Sequence, residues 1–182
     1  MKIFSAAKSY IANPDPLTAA SCLIAVVVGT NGPVYPLYLG FMIGFPAAAP
    51  AFITMLASPL FLAIPWLARR YPLAGRAALP LLGTLNTIWC IKLLGVASGV
   101  ELFLLPCISL AALSFTARER LLSFALLAMP IGFYIVQPYL VALAAPLLQF
   151  SPAQLQALAT LNAASVGTLT AFLGLTYAKI RA

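Results

Sequence analysis

Trp66-Leu67-Ala68-Arg69-Arg70-Tyr71-Pro72-Leu73-Ala74-Gly75-Arg76-Ala77-Ala78-Leu79 sets three arginines between two long stretches without charge, 16–68 before it and 77–91 after it. A helix crossing the hydrocarbon core of a bilayer needs about 20 predominantly apolar residues. The first flank exceeds that length, and the second reaches it when extended past Lys92 to residue 95. The segment therefore reads as a basic turn at a membrane surface, with Trp66 as the interfacial anchor beside Arg69-Arg70.

Working outward, the same grammar repeats. Two further stretches, 102–117 and 121–178, also lack charge. Of 182 residues 63% are apolar and 7% charged, with a mean hydropathy of +1.05. A soluble domain carries roughly 25% charged residues, so this composition places the chain in a bilayer. The net charge of +7 then reflects cations flanking apolar runs and facing anionic headgroups, not a nucleic-acid surface.

Cut at the membrane scale, the string gives six spans, at about 17–43, 49–68, 77–95, 100–116, 121–143 and 153–178. A segment 1–16 precedes them and 179–182 follows. The expected fold is all-α, an integral membrane six-helix bundle. The first run contains Asn31-Gly32-Pro33, which fits either one kinked helix or a short helix followed by a re-entrant piece; the kinked helix is favoured. No secretory signal is expected, because residues 1–16 lack an apolar core.

Six spans place nine of the ten basic residues on one side: Lys2, Lys8, Arg69, Arg70, Arg76, Arg118, Arg120, Lys179 and Arg181. Only Lys92 falls opposite. Five or seven spans would spoil that division. The excess of Lys and Arg marks the cytoplasmic side, so the expected topology has both ends inside.

Polar residues within or between the spans are the candidate ligand or coupling residues: Asn86, Lys92, Glu101, Gln137 and Asn162. Lys92 and Glu101 flank Gly95-Val96-Ala97-Ser98-Gly99. They are either snorkelling interfacial charges or a sensing pair at the outer mouth. The three amides either hydrogen-bond between helices or share a polar pocket of the third, fifth and sixth spans. Ala163-Ala164-Ser165-Val166-Gly167 gives the sixth span a surface for close helix packing. Thr84-Leu85-Asn86 and Thr160-Leu161-Asn162 echo each other, as an internal repeat would. Most aromatics, among them Tyr35, Tyr38, Tyr71, Trp89, Tyr134 and Tyr139, fall toward span ends, as interfacial belts do.

Cys22, Cys90 and Cys107 lie in apolar runs and are expected to be reduced. With three acids and no histidine, general acid–base chemistry has few candidates. No metal-ligand cluster, phosphate-binding glycine loop or catalytic triad pattern is present. The expectation is a protein without enzymatic activity, cofactor or metal.

The run Asn86-Thr87-Ile88-Trp89, then Leu93-Leu94-Gly95-Val96-Ala97-Ser98-Gly99-Val100-Glu101, then Leu102-Phe103-Leu104-Leu105, with Phe115 ahead of Arg118-Glu119-Arg120, resembles the six-helix membrane region of bacterial membrane-bound class III adenylyl cyclases. Related regions precede some diguanylate cyclase and histidine kinase outputs. The resemblance spans about 130 residues, from the second helix to the sixth. It implies a sensor or anchor in the bacterial inner membrane, dimeric or joined to partner membrane proteins. In that family the sixth helix continues into a cytoplasmic output domain. Here the sequence ends at Lys179-Ile180-Arg181-Ala182, so an output domain is expected beyond it or on another chain, unless the bundle works alone. Two other functions fit the residues: an accessory subunit of a larger respiratory or photosynthetic complex and, more weakly, a small-molecule or ion transporter.

Overall fold

The computed structural model describes residues 8–140 and 145–181, without the side chain of Arg181. Lys2, the 141–143 end of the fifth expected span and the Arg181 side chain lie outside the described residues. Every regular element described is helical. In chain order these are α1 (Pro16–Asn31), α2 (Val34–Ile43), α3 (Phe45–Ala48), α4 (Ala57–Arg70), α5 (Pro72–Leu94), α6 (Leu104–Leu113), α7 (Arg120–Val136) and α8 (Pro152–Arg181).

Five segments are long and apolar enough to cross a membrane: Pro16–Ile43, Phe45–Arg70, Pro72–Leu94, Ala117–Tyr139 and Pro152–Ile180. The chain is thus a multi-pass, all-helical membrane protein. α1 starts at an N-cap, where Asp15 accepts from the Thr18 amide at 3.1 Å and Pro16 takes the first helical position. Proline suits that position because its missing N–H would have no intrahelical partner. Gly32 and Pro33 keep right-handed helical angles between α1 and α2. The two helices therefore run on as one segment, Pro16–Ile43, in which Pro33 lacks the backbone donor of a regular helix.

The second segment is composite. Pro46 and Pro50 fall close together, and Ala49–Leu56 winds as a 3₁₀ helix between α3 and α4. The basic segment around Arg76 is helical rather than a turn, since α5 begins at Pro72. Between α4 and α5 only Tyr71 leaves helical backbone angles (φ −134°, ψ 79°). Here the membrane boundary and the helix boundary differ, because proline at the first position nucleates a helix before the charge run ends.

The fourth expected span is short. It consists of a 3₁₀ turn, Val100–Phe103, followed by α6. At ~2.0 and ~1.5 Å per residue it covers roughly 23 Å, less than the ~30 Å hydrocarbon core. Gly95 and Gly99, at φ +76° and +73°, reverse the chain before it. A capping box at Thr116 and Glu119 starts the next element.

Two main apolar clusters stack along the helix axes. One contains Leu39, Ile91, Leu94, Leu104 and Leu158; the other contains Ile24, Phe61, Leu79, Leu110 and Leu173. Large apolar side chains such as Phe41, Leu56, Leu121 and Phe124 point outward. In a bilayer that surface is covered by lipid tails rather than water.

Candidate functional site

Two buried polar clusters sit at opposite ends of the bundle. The first is built on Arg76, in the first turns of α5 and only 6% exposed. A buried guanidinium requires paired charge and hydrogen-bond acceptors. Its Nη1 donates to Glu119 Oε2 at 2.8 Å and to the Ser114 carbonyl at 2.9 Å, while Nη2 donates to Glu119 Oε1 at 2.6 Å. Asp15 Oδ2 lies 3.6 Å from Nε, and the Phe115 ring packs over the guanidinium. Glu119 also accepts from the Thr116 amide and hydroxyl.

Tyr177, near the end of α8 and 1% exposed, closes this cluster. Its hydroxyl is 2.7 Å from Ser114 Oγ and 3.1 Å from Ser21 Oγ. Ser21 spends its own proton on the Leu17 carbonyl at 3.0 Å. Tyr177 therefore donates to Ser21 and accepts from Ser114. The start of α1, the start of α5, the α6–α7 turn and the end of α8 thus meet at one end.

That end holds the basic residues. Lys8, Arg69, Arg70, Arg118, Arg120 and Lys179 are exposed around the buried Arg76. Arg69 reaches the Ser9 and Tyr10 carbonyls at 3.3 and 3.4 Å, and Arg70 lies over the Trp66 ring. The geometry places both ends of the described chain together at this basic end.

The second cluster lies in the turn after α5. Asn162 of α8 is fully buried; its Nδ2 donates to the Ser98 carbonyl at 2.8 Å and to the Tyr35 hydroxyl at 3.2 Å. Ser98 caps the turn by donating to the Gly95 carbonyl at 2.6 Å. The α5 carbonyls of Lys92 and Leu93 accept from the amides of Leu147 and Leu148 at 3.0 and 2.9 Å. The loop before α8 thereby satisfies helix-end acceptors that have no partner within α5.

The five sequence candidates do not form one hydrogen-bonded set among the described residues. Asn162 joins three elements, as interhelical amides do. Asn86 is half-buried and makes no such bond, and Gln137 is buried with Oε1 unpartnered. The Lys92 ammonium donates to the Ala145 carbonyl at 3.1 Å, while Glu101 Oε2 is buried without a hydrogen-bond partner. From sequence, Arg76 is a topology marker, and nothing in the spacing joins it to Asp15, Ser114, Glu119 and Tyr177. Thr116-x-x-Glu119 was the legible clue, since it matches a capping box.

Cys22 and Cys107 are buried and Cys90 half-buried, all as free thiols. No group of three or more metal-ligating side chains occurs among the described residues. Compared with protein-family models, characterised proteins and solved structures, the chain matches none.

Proposed function

We propose that this chain is a bacterial inner-membrane sensor or anchor module, non-enzymatic, that passes a membrane or extracytoplasmic signal to a cytoplasmic partner through α8. The observation that carries this reading is that α8 enters both polar clusters, through Asn162 at one end and Tyr177 at the other. Fifteen residues of helix between them amount to ~22 Å. A rigid rod gripped at both ends transmits a shift in one cluster to the other. The nine-to-one division of basic residues supports a cytoplasmic basic end, where α8 would meet its partner.

The test uses Lys179→Cys in a background without native cysteines, labelled by a maleimide in inverted membrane vesicles. Asn162→Leu should change the labelling rate at position 179 severalfold while the protein still elutes as a single species. An unchanged rate would remove α8 as a coupling element.

A second reading, an accessory subunit of a larger membrane complex, is favoured by one feature of α8. Ala157, Thr160, Ala164, Gly167, Ala171 and Gly174 follow at alternating spacings of three and four, and all are exposed. Such seams let helix backbones approach closely. Native copurification in a stable large assembly, lost on Gly167→Leu, would favour the subunit over the sensor.

A further inference from the structure

We propose that the basic end carries a groove for one anionic phospholipid, between the α4–α5 corner and the start of α7. The groove is shallow and open to the surroundings, about 480 Å³, and is lined by Arg70, Tyr71, Leu73, Ala74, Ala77 and Leu122. A lipid held there would keep one side against neighbouring lipid tails. Apart from Arg70 and Tyr71 its lining residues are apolar. An apolar floor with a cation at the rim matches a lipid glycerol and acyl stem topped by a phosphate.

Charge complementarity selects the headgroup. Arg118 and Arg120, both exposed, stand four and two residues before Leu122. The chain has three carboxylates. Asp15 and Glu119 are both held by Arg76, and Glu101 belongs to the opposite end. None of Arg70, Arg118 and Arg120 pairs with a carboxylate among the described residues. The guanidinium fork matches phosphate oxygens bidentately. The first-turn amides of α5, with no intrahelical partner, add partial positive charge. A zwitterionic lipid brings its own cation to this rim and is disfavoured. The occupant is a phospholipid of net negative charge, drawn from the leaflet that meets the basic end.

Native mass spectrometry of the delipidated chain in a neutral detergent provides the test, with phosphatidylglycerol and phosphatidylcholine of identical acyl chains as probes. Phosphatidylglycerol should be retained on the order of tenfold better, since juxtamembrane Lys and Arg residues each attract anionic lipid. Combined Arg70→Gln, Arg118→Gln and Arg120→Gln should erase the preference. Ala74→Phe fills the groove at an exposed position without touching a charge, and it should also expel the lipid. Glycerol 3-phosphate at matching concentration should not compete. Equal retention of the two lipids, an unchanged preference in Ala74→Phe, or displacement by glycerol 3-phosphate would each overturn the proposal.

Discussion

Arg76 and Glu119, forty-three residues apart, meet through two hydrogen bonds of 2.6 and 2.8 Å between the guanidinium and both carboxylate oxygens. The pair fixes the first turns of α5 against the α6–α7 turn. Because Ser114 and Asp15 join the same guanidinium, one side chain ties together three separate parts of the chain at the basic end.

Removing that side chain should be costly. Arg76→Ala leaves Glu119 and Asp15 without their cation. Breaking a fully buried pair costs about 3–5 kcal/mol, but here the carboxylates are 21% and 39% exposed. We expect about 2 kcal/mol, seen as a lowered midpoint of thermal unfolding in mild detergent. Arg76→Lys should recover only part, because an ammonium cannot make the bidentate contact. In a double-mutant cycle, Arg76→Ala and Glu119→Gln should be clearly non-additive.

Tyr177→Phe tests how α8 is fastened. It deletes a hydroxyl that bridges Ser114 and Ser21 while keeping the ring in its apolar setting. Each lost hydrogen bond is worth about 1 kcal/mol, more where a partner is stranded. A loss of ~1–2 kcal/mol is expected. Ser21→Ala added to Tyr177→Phe should cost little beyond it, since their shared bond is already gone. Additive losses would show that the two hydroxyls do not act together.

At the other cluster the sign depends on what replaces Asn162. Its Nδ2 is satisfied, but its Oδ1 has no partner. Asn162→Leu removes both, so the cost should be ~1 kcal/mol or less, near the modest value of hydrogen bonds between membrane helices. Asn162→Asp puts a carboxylate in a fully buried position and should be far worse, by roughly 2–3 kcal/mol or more. Unfolding midpoints of the two variants, measured side by side, check the order.

The apolar runs and the basic flanks were legible because the bilayer imposes one length and one charge rule on every span. The shortness of the fourth segment was not. Residues 100–116 are as apolar as a spanning helix, and nothing in hydropathy reveals that Val100–Phe103 winds as 3₁₀ and that α6 stops at Leu113. The Arg76 cluster was hidden for a different reason. Charge counting treats every arginine at a membrane surface alike, whereas only folding decides that Arg76 turns inward and Arg69, Arg70, Arg118 and Arg120 stay out. Asn162 was visible as an interhelical amide, but its partners, a turn carbonyl and a tyrosine sixty-four and 127 residues away, follow from packing alone.

Glycine substitutions separate internal contacts from the outward face of α8. A Cβ on Gly75 would lie 2.5 Å from Ala68 Cβ and 2.9 Å from its Cα, where α4 and α5 meet. Backbone must move to relieve that approach, so Gly75→Ala should destabilise by about 1–3 kcal/mol. A Cβ on Gly167 or Gly174 meets nothing within 4 Å, and alanine there gains up to about 1 kcal/mol of helix propensity. Gly167→Ala should therefore leave the isolated protein as stable or slightly more so. If it instead lowers the unfolding midpoint of the protein in native membranes but not in detergent, the face of α8 is covered by another helix, because only a partner could feel that methyl group.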